Sequence, residues 1–371
     1  QKPGMGRAWV GHESWELVDE AAEASGRDVA ALLLDADADE LRHTRNSQLG
    51  IFVLSMVVLD AAERTGAAPA FVAGHSLGEY SALCASGALA FDDAVRLVCE
   101  RCAAMQAATD ARPGAMSAVL GLDDDIVAEV CEMTGGDVWV ATYNAPGQVV
   151  IAGDPDATAD AAEAAKAAGA KRALALPVDG AFHTPYMEPA GERLAAALAA
   201  VEIRAPAVPV VVNVDAAAYQ TDDAWQPLLT KQLTHPVRWR ASLHTLEEAG
   251  VTTFVEMGPG AVLTGTAKRT VPAATSLSVG EPGDLDDFMA ALAAMPSSAP
   301  LELGGEVLHV TERLIVSPCA GVFTRNEAIE PGATVAVGDV VGWVADEEVR
   351  SPFAGTVMGV VAADEERVTT R

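Results

Sequence analysis

Positive charge is scarce in this 371-residue chain: 24 Lys and Arg stand against 53 Asp and Glu, giving a formal net charge of -29. Phosphate binding is driven by cationic side chains, so nucleic acid is excluded as a partner. Long apolar runs are missing too, and none approaches the ~20 residues that cross a bilayer. No membrane role is expected, and no basic-then-apolar leader opens the stretch QKPGMGRAWV. Cysteine is sparse and odd in number, with 5 in all, which argues for reduced thiols and a cytoplasmic setting. Cys99 and Cys102 form a C-x-x-C inside a helical pattern with no second pair, so no metal site is expected from them. Lysine stops at Lys268, and beyond it nothing can be attached through an ε-amine.

What is present is a globular composition, 50% hydrophobic and 21% charged, at a length suited to about two or three domains. One stretch stands out, FVAGHSLGEYSAL from Phe71 to Leu83. Gly74-His75-Ser76-Leu77-Gly78 fits the G-x-S-x-G elbow, where a strand turns sharply into a helix and leaves the serine hydroxyl exposed at the bend. Small residues on either side let backbone approach backbone.

Helical spacing runs from Trp15 to Glu20 and from Gln48 to Thr65, and AAPAFVAGHS reads as a short buried strand delivering the elbow. SALCASGALAF and DDAVRLVCERCAAMQAA follow as helices. After Pro113 the pattern changes to strand, helix, two strands split by Pro146-Gly147, helix and strand. That β-α-β-β-α-β order predicts a ferredoxin-like small lobe over 113–179, inserted in a mostly parallel α/β core formed by 1–112 and 180–290. Residues 291–312 read as a linker rich in small residues and proline. The tail, 313–371, is strand-rich and repeats SPCAGVF (Ser317 to Phe323) as SPFAGTV (Ser351 to Val357), which suggests a small two-fold β unit.

A serine nucleophile needs a base, and the base needs an orienting group. Among 7 histidines, His183 in VDGAFHTPYMEP lies where the small lobe hands the chain back to the core. His12, His43, His75, His244 and His309 read as packing or surface residues, and His235 with Pro236 as structural. An esterase on the same elbow would instead need a carboxylate beside the histidine, for which Asp179 is the nearest acid. A catalytically quiet scaffold in an acyl-assembly complex is the third reading.

Taken in order, GHSLGEYSALCASGAL, RCAAMQ, GAMSAVLGL, TYNAPGQVVIAG, VDGAFHTPYMEPA, QLTHPVRW and FVEMGPGAVLTGTAKR closely resemble the malonyl-CoA:acyl carrier protein transacylases over about residues 1–290. The resemblance implies an α/β-hydrolase-like core and an acyltransferase that carries malonyl from malonyl-CoA to the phosphopantetheine thiol of an acyl carrier protein, in fatty acid or polyketide synthesis. It implies Ser76 as nucleophile, His183 as base and Gln232 as the residue whose backbone carbonyl holds the imidazole. Arg101 would grip the malonyl carboxylate as a bidentate fork. Phe182 gives the A-F-H form that accompanies malonyl rather than methylmalonyl selection in related polyketide acyltransferases.

The Leu77 N–H is the expected oxyanion donor. The family's second donor, a glutamine, and the first strand are expected to lie before Gln1, which matches a later glutamine of the same motif. Asn144 and Gly147 match an N-x-P-G-Q turn beside the cleft, with Thr142 where an asparagine is usual. No bound cofactor is implied.

The tail resembles biotinyl or lipoyl carrier domains, with a closing strand expected beyond Arg371. Its hairpin, VGWVADEEVRSP, has no lysine, so biotin or lipoate attachment is excluded and a docking role in a larger synthase or carboxylase-type assembly is expected.

Overall fold

The computed structural model describes residues 1–294 and, beyond them, 302–303, 306–307, 321–326, 329–330, 332–336, 338–344, 347–351, 355–357 and 367–368. It divides into two compact units, 1–294 and 295–371. Most of the expected linker, and Ser317 to Ala320 of the first repeat copy, lie outside the described residues.

In the first unit, helices α1 (Glu16–Ser25), α2 (Val29–Leu34) and α3 (Thr44–Glu63) precede strand β1 (Val72–Ala73). The elbow follows, then α4 (Gly78–Ala85) and α5 (Phe91–Ala111). Asp92 and Asp93 occupy the first turn of α5, where negative charge complements the helix dipole. The buried stripe of α5 runs Phe91, Ala94, Val95, Leu97, Val98, Arg101, Cys102, Ala104, Met105 and Ala108, so one arginine shares the spacing of the apolar residues.

The segment after Pro113 folds as β2 (Ala115–Leu120), α6 (Asp124–Thr134), β3 (Val138–Ala145), β4 (Gln148–Gly153), α7 (Pro155–Ala167) and β5 (Arg172–Ala175). Its four strands pair antiparallel in the order β3-β4-β2-β5. The β3–β4 turn is Pro146-Gly147, with Gly147 at a φ of 66° that glycine adopts freely. A second cluster of buried side chains, including Val119, Val127, Val140, Val149, Ile151 and Ala161, fills the space between this sheet and its helices.

The chain then returns through α8 (Glu188–Leu198), β6 (Val210–Val211), β7 (Ala218–Tyr219), α9 (Trp225–Gln232), α10 (Trp239–Glu248), β8 (Thr253–Met257), α11 (Val262–Thr270), β9 (Thr275–Val279) and α12 (Asp284–Ala294). Parallel pairing joins β1 to β6 and β8 to β9, while β7 adds antiparallel to β6. Among the described residues the expected mostly parallel core sheet is thus two short pieces, and β1 is a half-buried two-residue strand rather than a buried one. The cause is local: Gly74 starts the elbow immediately after Ala73, and the chain past β6 reverses at Ala216, whose φ is 60°. The lobe is stitched to the core by backbone bonds between Val237 and both Ala141 and Tyr143, and by an Arg240–Asp124 ion pair of 2.8 Å.

In the second unit the described strands are short. An antiparallel sheet runs β15-β14-β12-β17, formed by Glu347–Arg350, Val340–Val344, Gly321–Arg325 and Arg367–Val368. Separate antiparallel pairs are formed by β13 (Thr334–Val335) with β16 (Gly355–Thr356) and by β10 (Glu302–Leu303) with β11 (Glu306–Val307). Phe323, Val335, Val341, Val344 and Val349 are buried together.

Candidate active site

The elbow is built around one close approach. A Cβ on Gly74 would stand 1.9 Å from the carbonyl carbon and oxygen of Gly78, so no other residue fits there. The requirement is one-sided, because a Cβ on Gly78 would meet nothing within 4 Å. Ser76 sits at the bend with φ 52°, a left-handed conformation rare for a residue with a side chain. Asn213, fully buried two residues past β6, holds it there. Its Oδ1 accepts from the Ser76 N–H at 2.6 Å and its Nδ2 donates to the Gly74 carbonyl at 2.7 Å.

His183 reaches the elbow from the loop after β5, itself at φ 61°. Thr184 braces that loop, donating to the Ala181 carbonyl at 2.6 Å and capping the turn at Pro185–Met187. The His183 Nε2 lies 2.8 Å from the Ser76 Oγ, and its Nδ1 lies 2.8 Å from the Gln232 backbone carbonyl. With that carbonyl as acceptor, Nδ1 carries the proton and Nε2 presents its lone pair to the serine. The carbonyl is available because Gln232 ends α9 and the residue four positions on is Pro236, which has no N–H to continue the helix. Burial, reinforced by the nearby positive charge of Arg101, pushes the His183 pKa down to about 3. The imidazole is therefore neutral and ready to accept a proton at ordinary pH.

Arg101, 1% exposed, arrives on the buried stripe of α5. Its Nη2 donates to the Ser76 Oγ at 2.9 Å and to the Gln232 Oε1 at 3.2 Å, while Nη1 donates to the Gln48 Oε1. Tyr80 lies under the guanidinium, 5.9 Å from ring centre to the guanidinium carbon. A buried cation whose hydrogen-bond partners are all neutral side chains or a hydroxyl is suited to receive an anion, since pairing it offsets its desolvation.

This geometry, a left-handed serine in hydrogen-bond reach of a neutral histidine and a buried arginine, is matched by kinship. Residues 1–294 match the acyl transferase domain family. The chain belongs to that family. It is 44% identical over 292 residues to the malonyl CoA-acyl carrier protein transacylase of Escherichia coli (strain K12), covering 76% of this chain and 94% of the relative. An acyl-carrier-protein S-malonyltransferase structure from Burkholderia pseudomallei superposes with a TM-score of 0.76 at 42% identity, covering 78% of this chain and 96% of that one. A malonyl-transacylase solved in complex with a type II PKS acyl-carrier protein gives a TM-score of 0.76 at 38% identity, covering 78% and 96%.

Of the acyltransferase's sequence-predicted site residues, Ser76, His183, Gln232 and Arg101 come together. Leu77 follows Ser76 in the chain and is the N-cap residue of α4. The Asn144 Oδ1 accepts from the His75 ring at 2.7 Å, tying the lobe to the residue before Ser76. Burial lowers the pKa of His75, which also stands edge-on to Trp239 at 5.8 Å. Phe182 is half-buried against the main core, and its ring crowds Gly180, where a Cβ would come within 2.7 Å.

Sequence reasoning missed Asn213, Glu79 and Gln48, and it gave Pro236 only a generic structural part. Glu79 lay inside the quoted elbow motif. Asn213 was a lone polar residue inside the apolar run VPVVVNV, one position before its end.

Proposed function

We propose that the acyltransferase moves a malonyl group from malonyl-CoA to the phosphopantetheine thiol of an acyl carrier protein through a malonyl-Ser76 ester. The Ser76 hydroxyl gives its proton to His183 Nε2 as Oγ attacks the thioester carbonyl. The Leu77 N–H receives the negative charge developing on the carbonyl oxygen. Collapse breaks the carbon–sulfur bond, and the imidazolium returns its proton to the departing CoA sulfur. In the second half-reaction His183 takes the proton of the carrier thiol, the sulfur attacks the ester, and Ser76 recovers its proton as it leaves.

The observation that carries this reading is Arg101, buried with Nη2 at 2.9 Å from the nucleophile. A carboxylate two bonds from the reacting carbonyl, as in malonyl, replaces the neutral partners of Arg101 and orients the carbonyl for attack. Pairing that cation also relieves its repulsion of the His183 imidazolium as it forms. An esterase would place a carboxylate on His183 Nδ1, but the Gln232 carbonyl occupies that atom. Phe182 is proposed to limit bulk at the α-carbon, a discrimination of ~1 to 3 kcal/mol. Asn144 is proposed to line the cleft from the lobe side.

The proposal requires no bound cofactor. The core is assigned an α/β-hydrolase-like architecture over 1–112 and 180–290 with a ferredoxin-like lobe over 113–179. The tail is assigned a biotinyl/lipoyl-like assembly role over 313–371, supported by its short antiparallel strands. Among the described residues Cys99, Cys102 and Cys131 are in no disulfide, in keeping with a cytoplasmic setting.

The deciding experiment is intact-protein mass after brief mixing with malonyl-CoA, alongside Ser76→Ala. A malonyl adduct that vanishes in the variant is expected. Release of CoA with no trapped adduct would make the protein a hydrolase.

A further inference from the structure

Glu79 is a carboxyl with no solvent exposure, on α4 one turn past the nucleophile, and the reaction steps above do not use it. Both of its oxygens are acceptors. Oε1 takes the Asn213 backbone N–H at 3.1 Å, and Oε2 takes the Gln232 side-chain amide. The same Gln232 Nε2 donates to the Ser76 carbonyl at 2.9 Å. Both amide protons are thereby committed, and the Gln232 Oε1 is left facing Arg101 Nη2 at 3.2 Å. Turning that carboxamide over would set an NH2 group against a guanidinium, two donors with no acceptor between them.

We infer that Glu79 is a positioning residue that acts through Gln232: as a carboxylate it fixes the carboxamide so that Arg101 is held for the substrate's carboxylate. The inference rests on the malonyl-transfer reading. A protonated Glu79, or a glutamine in its place, turns one acceptor oxygen into a donor. Asn213 faces it with a backbone N–H held in place by the two side-chain bonds that tie this residue to the elbow, so the mismatch falls on Gln232, the movable partner. The Gln232 amide then reorients and Arg101 loses its Gln232 acceptor, keeping those on Ser76 and Gln48. Ser76 and His183 keep their own contact, because His183 is held by the Gln232 backbone rather than its side chain.

The charged and titratable groups facing Glu79 are Arg101 from α5 and Asp215 from the turn after β6, with Tyr80 beside it on α4 and His183 beyond Gln232. Burial outweighs the pull of Arg101 and the hydrogen bonds, and pushes the Glu79 carboxyl up to about 7. Its protonation therefore falls within the working pH range. His183, pushed down to about 3, titrates far below it.

The test is the rate of acyl-Ser76 formation between pH 5.5 and 8.5, read by intact mass with malonyl-CoA and with acetyl-CoA, for wild type and Glu79→Gln. In wild type the malonyl rate falls as pH drops through about 7, and the malonyl-to-acetyl ratio falls with it by about tenfold. In Glu79→Gln the ratio is low at every pH, and wild type converges on it at the acid end. A ratio independent of pH in wild type overturns the inference, and so does a Glu79→Gln protein that keeps the wild-type limb at the same midpoint. Should the variant fail to fold, the wild-type ratio decides alone, since a limb of equal depth for both thioesters assigns it to a group serving the chemistry in common. Absence of any acyl adduct at every pH overturns instead the transfer reading beneath it.

Discussion

Removing Arg101 separates substrate recognition from bond-making. In Arg101→Ala the fork proposed to receive the malonyl carboxylate is gone, along with the donors to Ser76 Oγ, Gln232 and Gln48. Each hydrogen bond to a charged group contributes roughly 1.5 to 3 kcal/mol, so a two-pronged grip is worth about 3 to 6 kcal/mol. At about 1.4 kcal/mol per factor of ten, kcat/KM for malonyl-CoA should fall by about 10² to 10⁴. Acetyl-CoA has no carboxylate, and the variant also takes a buried positive charge away from the His183 Nε2. Its rate should stay within about tenfold of wild type, so the preference between thioesters inverts. Arg101→Lys keeps a charge but not the planar fork, and should recover only part of the malonyl rate. Timed intact-mass measurement of acyl-Ser76 with each thioester reads all of this directly. Equal losses for malonyl and acetyl would refute the reasoning, because they would make Arg101 a support of the elbow rather than a receptor.

Other consequences are equally direct. Gly74→Ala drives a Cβ into the Gly78 carbonyl and should cost at least ~1 to 3 kcal/mol and most of the activity, whereas Gly78→Ala should be tolerated; comparable melting temperatures for the two would contradict the one-sided approach. Stability against pH carries two opposed contributions. The folded His183 stays neutral while the unfolded imidazole protonates below 6.5, so its contribution is whole above 6.5 and drains as pH falls toward 3. Folded Glu79 holds its proton up to about 7 while the unfolded carboxyl gives it up above 4.5, so its contribution is whole below 4.5 and is lost as pH rises to 7. Relative to wild type, His183→Ala should gain stability on acidification between 4.5 and 6.5 and Glu79→Gln should lose it, each by a few kcal/mol on the order of magnitude; parallel denaturation curves would count against both assignments. Lys231 and Arg238 are exposed on either side of the loop that carries Gln232 into α10. Reversing both charges should raise the apparent KM for an acidic carrier protein by about tenfold while sparing acylation by malonyl-CoA, and damage to both half-reactions would argue for a folding defect instead.

The sequence alone determined what depends on spacing along one element. Two glycines four apart after an apolar run placed the elbow and its serine, and for the first of them the reason is steric, since a Cβ on Gly74 would stand 1.9 Å from the Gly78 carbonyl. Alternating patterns and the Pro146-Gly147 turn located the strands and helices of the inserted lobe. Arg101 repeats with Leu97, Val98, Cys102 and Met105 at helical spacing, so its burial was written into α5, although its partners were not.

Tertiary structure decided which distant groups meet. Asn213 secures an elbow 139 residues away, Glu79 reaches an amide 153 residues away, and Gln48 meets Arg101 across 53. Each of these is a single polar side chain whose sequence neighbourhood suits a solvated surface as well as a buried network. Buried polar groups must be satisfied, but nothing in the local pattern says by whom. Pro236 illustrates the division: its missing N–H is visible in the sequence, while its consequence, a Gln232 carbonyl left free for His183, exists only once the loop after β5 is folded over the end of α9.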